Sequence, residues 1–215
     1  LIVPSQRLEG IAHNVWRQPD AKIHRIPNAI RMAAYQEGPD PAAIPGFIRR
    51  PGDMVIGTLA GLRPVKNLPR LVRAVAALPM DLRTRVQLVI VGTGPERDAI
   101  LAEAERHGIA DRLLLPGFLA DPHRCVGLFD LFALSSDSEQ FPISLVEAMA
   151  AGLPALSTDV GDVAQIIAAE NAPFITPLGN EPAYVSAMRT LLEDADLRAR
   201  IGAAAGGRRV CRIRR

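Results

Sequence analysis

The sequence predicts an α/β protein: a single doubly wound, Rossmann-like parallel sheet with helices on both faces. Three observations carry this. From residue 54 onward, short apolar runs rich in branched residues alternate with stretches of helical periodicity. Those runs, such as VQLVIV at 86–91, are apolar at nearly every position, as strands covered on both faces must be. A chain of 215 residues is also long enough to close a core around such a sheet.

The first fifty residues read differently. A helical pattern over 5–16 leads to a strand-like KIHRIPN, then to the proline- and glycine-rich EGPDPAAIPGFIRRPGD, read as a linker or long surface loop. The alternation then begins with MVIGTL (54–59) and a helix near 67–78, with Asn67 placed to cap it. VQLVIV (86–91) and a helix near 95–107 follow, joined by a glycine turn. RLLL (112–115) precedes a helix over 122–127, and FDLFAL (129–134), trimmed by one or two residues at its start, is the fourth strand. The helix over 142–151 opens at Pro142, whose missing N–H costs nothing in a first turn. PALST (154–158), a helix over 162–168, PFIT (173–176) and helices over 181–192 and 195–205 complete the order. Doubly wound sheets bind ligands at the carboxyl ends of their strands, which singles out the loops 60–67, 92–96, 116–121 and 135–142.

Composition narrows the class. The chain is 48% hydrophobic and 22% charged, with a formal net charge of +2. The terminal GRRVCRIRR contributes five arginines and no acid; setting those five charges aside takes +2 to −3 for the remainder, which leaves no nucleic-acid footprint. The tail itself is read as a solvated end, with contact to phosphate or anionic lipid as the alternative. The two cysteines, Cys125 and Cys211, show neither metal-ligand spacing nor a disulfide framework, which fits a reducing, cytoplasmic setting. No apolar run approaches a membrane span, and no basic-then-apolar signal opens the chain. The opening LIVPSQRLEG has no initiating Met and is read as part of a longer chain.

The chemistry concentrates in SSDSEQFPISLVEAMAAGLPALSTDVGD, residues 135–162. Glu139 stands just before the helix at Pro142, and Glu147 stands inside it with seven residues between the two acids. At the helical rise they lie roughly 12 Å apart at most along the axis. The helix start between them, with free N–H groups and a positive dipole end, suits an anion. A carboxylate accepts two hydrogen bonds at once, which matches a vicinal diol. The alternative is that Glu139 merely favours the helix N-terminus and Glu147 is a solvated face residue. In GTLAGLRPVKN, Arg63 and Lys66 add cations at the end of the first strand. Gly92 and Gly94 in VIVGTGPERDAI resemble a dinucleotide fingerprint, but its third glycine position is Arg97, so a tight strand-to-helix turn is the other reading. Pro116, Gly117 and Phe118 either shape a base pocket or form a plain turn. The four histidines lack metal-ligand spacing, and no GxSxG nucleophile motif is present.

Taken together, IPNAI, IGTLAGLRPVKNLPRLVRAV, VIVGTGPERDAI, LLLPGF and the 135–162 stretch resemble the C-terminal, donor-binding domain of group 1 (family 4) retaining glycosyltransferases of GT-B fold. The likeness runs from residue 26 to about 205. It implies transfer of a sugar from a nucleotide-sugar to an acceptor with retained anomeric configuration, and it implies no metal or other cofactor. By resemblance, Lys66 contacts the phosphates, Glu139 lies beside the donor sugar, and Glu147 binds the ribose hydroxyls. The backbone at Phe141, Pro142 and Ile143 faces the diphosphate. The donor-binding set implied is Arg63, Gly94, Gly117, Phe118, Phe141, Pro142, Ile143 and Glu147, with Lys66 and Glu139 as the catalytic pair. Where the family often carries an arginine five residues before the lysine, this chain has Gly61.

The resemblance also divides the chain. Residues 1–50 correspond to a remnant of the N-terminal domain and linker, 51–205 to the nucleotide-sugar-binding domain, and 206–215 to the arginine-rich tail. The partners implied are a nucleotide-sugar and the N-terminal acceptor-binding domain, with peripheral membrane association of the full enzyme. Two other readings stand beside transfer: a non-catalytic nucleotide-sugar-binding module, and a relative of sugar-nucleotide 2-epimerases. An NAD-dependent oxidoreductase is disfavoured by the broken glycine fingerprint.

Overall fold

The computed structural model of the chain describes residues 1–207, so all but the first two residues of the expected arginine-rich tail lie outside the described residues. The fold is α/β, built on a six-stranded, all-parallel sheet. Ahead of it, β1 (Ile2–Val3) and β2 (His24–Arg25) pair in parallel across α1 (Gln6–Asn14). The main sheet alternates β3 (Met54–Leu59), α2 (Leu68–Ala76), α3 (Met80–Arg83), β4 (Val86–Val91), α4 (Arg97–Arg106) and β5 (Leu113–Gly117). It continues with β6 (Leu131–Leu134), α5 (Ile143–Ala150), β7 (Ala155–Thr158), α6 (Val163–Ile166) and β8 (Ile175–Thr176). α7 (Glu181–Glu193) and α8 (Ala195–Gly207) follow. The spatial order is β5-β4-β3-β6-β7-β8, so the chain works outward to β5 and then returns to lay β6 against β3. That reversal is the switch point at which the loops leaving two neighbouring strands part and open a crevice.

Side-chain alternation explains the apolar strands. Ile56, Leu88, Ile90, Leu131 and Ala133 join the core under α2, α4 and α7, whereas Val55, Val89, Val91, Phe132 and Leu134 join the core under α5. With both faces covered, the central strands keep few polar residues: Thr58 in β3 is buried and Gln87 in β4 is partly buried.

Several elements differ from their sequence-based bounds, each for a tertiary reason. The fourth strand starts at Leu131 because the Asp130 carboxylate is spent on Val55 N (2.7 Å) and on Arg49. The third starts at Leu113, with Arg112 held in a turn by Asp53 (2.9 Å) and by the Val86 carbonyl. The helix expected over 122–127 is two 3-10 turns, Pro122–Arg124 and Val126–Leu128. The 162–168 helix shrinks to one turn, and α5 begins at Ile143, with Pro142 outside it as the N-cap. The proline-rich stretch is no loose linker: Ile44 is 2% exposed and packs with Phe47 and Tyr35 into the α5-side core. Among the described residues no helix is long and apolar enough to cross a membrane.

The carboxyl ends of β3 and β4 meet through Gly92 and Gly94. Both have positive φ, and an added Cβ would lie 1.9 Å from the Ala60 carbonyl oxygen at Gly92 and 2.4 Å from that of Leu62 at Gly94. The neighbouring backbone therefore occupies the space a side chain would need, and hydrogen bonds from Ala60 N to Val91 O and from Leu62 N to Thr93 O hold it there. Gly92→Ala is expected to lower the unfolding free energy by about 2–4 kcal/mol in a urea titration. Gly61→Ala, whose new carbon meets only Arg63 Nε at 3.5 Å, is expected to stay within about 0.5 kcal/mol of the parent. Equal stability of the two variants would show that the β3 and β4 ends are not fixed to each other.

Candidate functional site

The crevice at the switch point is walled by the loops after β3 and β6, and these two loops are hydrogen-bonded to each other. Asp137 N donates to Val65 O (2.8 Å) and Ser135 Oγ donates to Lys66 O (3.0 Å). Asn67, in the left-handed region at φ 42°, accepts from Arg70 N with its side-chain oxygen and reaches Asp137 with its amide nitrogen. Arg70 lies beneath, 8% exposed, donating to Ser135 O (2.9 Å) and pairing with Asp137 (2.7 Å). On this frame Lys66 Nζ meets Glu139 Oε1 at 2.6 Å, and Ser136 Oγ donates to the same oxygen at 2.7 Å. Thr158 Oγ1 holds the Ser136 carbonyl from β7 (2.6 Å).

Beside this pair lies a cleft of about 590 Å³. Its walls are Leu59 to Gly61 after β3, Val91 to Thr93 after β4, Phe118 to Ala120 and Pro122 after β5, and Ile143, Ser144 and Glu147 on α5. Ser144 also lines the smaller cavity that holds Lys66 and Glu139, so it stands where the two meet. No side chain caps the start of α5, which leaves its first N–H groups available to an anion. The cleft and the smaller cavity beside it together combine an apolar slot, a free helix start, one cation and two carboxylates.

The sequence-predicted residues divide into two groups. Lys66 and Glu139 are in contact, and Glu147, Ile143 and Phe118 line the cleft, with Phe118 73% exposed. Lys66 is not a free cation in this state, because Glu139 holds it. The remaining five do not line the cleft. Arg63 is exposed, at the start of the 3-10 turn Pro64–Lys66. Gly94 packs on the Leu62 backbone, Gly117 ends β5 with its carbonyl accepting from Gly92 N, and Pro142 is buried. The Phe141 ring belongs to the α5-side core, and its carbonyl accepts from Asn28 Nδ2 at 3.4 Å. For Phe141 and Pro142 it is the side chain that is buried, while the backbone runs at the start of α5.

Sequence reasoning passed over Ser144, Thr93 and Tyr35. Tyr35, just ahead of the proline-rich stretch, donates its hydroxyl to Glu147 Oε1 at 2.9 Å. Its ring meets His123 edge-on, with centroids 6.1 Å apart. Burial raises the Glu147 carboxyl above its ordinary value, and the Tyr35 hydrogen bond works against that rise. Burial, then the Glu147 charge and its hydrogen bond, raise the Tyr35 hydroxyl well above its usual range. The Cys125 thiol is pushed up to about 11, first by burial and then by Glu147.

The comparisons with known proteins fall in with this geometry. The family profile of the group 1 glycosyl transferases matches residues 45–208, and the chain belongs to that family. The D-inositol 3-phosphate glycosyltransferase of Nocardia farcinica is 31% identical over 192 residues, which cover 84% of this chain and 42% of that protein. The N-acetyl-alpha-D-glucosaminyl L-malate synthase of Bacillus anthracis is 29% identical over 67% of this chain and 37% of its own length. The chain therefore spans about two fifths of these curated relatives. Among solved structures, WaaG, a glycosyltransferase involved in lipopolysaccharide biosynthesis, superposes with a TM-score of 0.81 at 22% identity, over 96% of this chain and 57% of that one. Anabaena HepE, solved with UDP and glucose, gives 0.80 at 24% identity, over 95% and 56%. These likenesses establish the Rossmann-like domain of a GT-B fold.

The raised Glu147 carboxyl has a consequence for stability. A carboxyl whose folded-state pKa lies above its unfolded value favours folding most fully below the unfolded pKa, and that contribution is lost as pH rises through the folded one. At neutral pH the half-buried charge is a net cost to the folded state. Glu147→Gln keeps an oxygen to accept from Tyr35 and is expected to raise Tm at about pH 7, with the gain gone by about pH 4. A gain of the same size at both values would mean that Glu147 carries no burial penalty.

Proposed function

We propose that this chain is the donor-binding part of a retaining glycosyltransferase, and that its cleft holds a nucleotide-sugar. The observation that carries the reading is the placement of Lys66, Glu139, the uncapped α5 start and Glu147 around connected cavities at the switch point. The ribose diol sits on Glu147, the diphosphate on the first turn of α5 beside Lys66, and the sugar near Glu139. Glu139, itself held by the Ser136 hydroxyl, fixes the Lys66 ammonium before a ligand arrives, so little reorganisation accompanies phosphate binding. As the bond from the anomeric carbon to the phosphate oxygen breaks, charge grows on the leaving diphosphate, and Lys66 with the α5 dipole opposes it. The acceptor hydroxyl oxygen bonds to the anomeric carbon on the face the phosphate leaves and passes its proton to the departing phosphate oxygen, which retains configuration. That HepE was solved with UDP and WaaG acts in lipopolysaccharide biosynthesis supports a nucleotide-sugar donor here. A cytoplasmic setting agrees with Cys125 as a buried free thiol.

Transfer also needs an acceptor hydroxyl aligned with the anomeric carbon and water kept out, an alignment that accounts for several kcal/mol of the barrier. We infer that these 215 residues alone bind donor and do not pass its sugar on. Calorimetry with UDP-, GDP- and ADP-sugars, beside product analysis over lipid, sugar and polyol acceptors, tests both halves. Sustained transfer that is abolished by Glu139→Ala would show that one domain suffices; absence of binding to every donor would sink the donor site.

Two substitutions probe the contacts separately. Glu147→Ala is expected to weaken nucleoside diphosphate binding by about 1.5–3 kcal/mol, the range for hydrogen bonds to a charged group. Gly61 lines the cleft, and a Cβ there meets no backbone. Gly61→Arg is therefore expected to tighten diphosphate binding, since a guanidinium pairs with phosphate bidentately. Unchanged or weaker affinity in a stable Gly61→Arg protein would place the diphosphate elsewhere.

A further inference from the structure

We propose that Tyr35 is a positioning residue of the nucleotide site: its hydroxyl orients the Glu147 carboxylate for the ribose diol and so sets the preference for ribose over deoxyribose. This rests on the reading of Glu147 as the ribose-binding acid. Glu147 projects from the middle of α5 into a cleft whose other walls are largely apolar, and in that setting a long carboxylate has few groups to fix its rotamer. Tyr35 supplies one from a different part of the chain, 112 residues away in sequence, by donating to Oε1. The tyrosine is itself held. Its ring packs into the α5-side core and meets the edge of His123, beside Pro122 of the cleft wall.

One hydrogen bond to Oε1 leaves most of the acceptor capacity of a carboxylate unused, enough for two hydroxyl donors. An orientation fixed in advance removes an ordering cost from binding. The same bond favours the charged form of Glu147 in a site where burial disfavours it. The titratable groups known to face Glu147 are the Tyr35 hydroxyl and the Cys125 thiol, with the His123 imidazole behind the tyrosine ring. Neither Tyr35 nor Cys125 ionises near neutral pH, so an acid limb in binding is assigned to Glu147, and substitution of His123 checks that assignment.

The test is calorimetry on the 215-residue chain with UDP, GDP and ADP, then with the 2′-deoxy counterpart of whichever binds most tightly. Tyr35→Phe keeps the ring and removes only the hydroxyl. The expected result is about a fivefold to thirtyfold loss of affinity for the ribonucleotide, a smaller loss for the deoxynucleotide, and hence a reduced ratio between them. The acid limb of the binding profile is also expected to move to higher pH, because the bond that favours ionised Glu147 is gone, and to keep this shift in a His123→Gln background. Equal losses for both sugars would mark Tyr35 as a packing residue and overturn the proposal. Unchanged affinity, or tighter binding that reveals a competing hydroxyl, would overturn it as well. Glu147→Ala separates the two levels. If it leaves the ribose preference intact, the reading of Glu147 falls; if it abolishes the preference while Tyr35→Phe does not, only the role of Tyr35 falls. No binding of any of the three diphosphates overturns both.

Discussion

Everything at the site depends on the loops after β3 and β6 being fastened to each other. The switch point parts these loops by topology, and without cross-links the crevice would be free to open or collapse. The fastening is polar: Lys66 with Glu139, both mostly shielded from water, and the buried Arg70 with Ser135 and the exposed Asp137. Each charge removed from water costs several kcal/mol unless partners replace its hydration, so the network holds together only when complete. The Lys66 and Glu139 side chains are 17% and 10% exposed, and each has its partner within hydrogen-bond distance. What the arrangement gives the molecule is geometry: a cation, a helix start and an acid in fixed relation before any ligand enters.

A second set of contacts ties the N-terminal segment to the same loop. The Asp162 carboxylate, 4% exposed, accepts from Gln6 N (2.6 Å) and Arg7 N (3.2 Å) at the start of α1, where the dipole favours a negative charge. Asp162 N donates to the Gln140 carbonyl, and Ser5 Oγ donates to the Gln140 side chain. Gln140 follows Glu139 directly, so residues 5–7 are joined to the loop that carries the acid next to Lys66. A displacement of α1 would be felt at Glu139 through one residue.

The electrostatics of the cleft are uneven along its length. At the Lys66 end the charges are paired and hydrogen-bonded. At the Glu147 end a half-buried carboxylate has a neutral phenol and a neutral thiol for company, and its ionisation is opposed by burial. The first end therefore resembles a completed ion pair that a phosphate can join, and the second an acceptor waiting for donors.

Much of this was legible in the sequence. The branched apolar runs gave β3 and β4 their observed bounds, and their lack of alternation showed that both faces are covered. Asn67 announced itself as a cap, and Pro142 marked the start of the helix that carries Glu147. These are local signals, fixed by backbone dihedrals and by which face of an element a side chain leaves from. Other features were decided only by tertiary structure. Ile44 sits in a stretch whose prolines and glycines speak for a loop, with Tyr35 just ahead of it, and packing on the α5 side draws Ile44 into the core and Tyr35 against it. Arg63 and Lys66 are equivalent cations in the sequence, but only Lys66 faces an acid, because the return of β6 beside β3 sets Glu139 opposite it. Local periodicity states where strands and helices lie. Which loops then meet, and which charges are paired or left waiting, follows from strand order, and that is fixed by the burial of both sheet faces together.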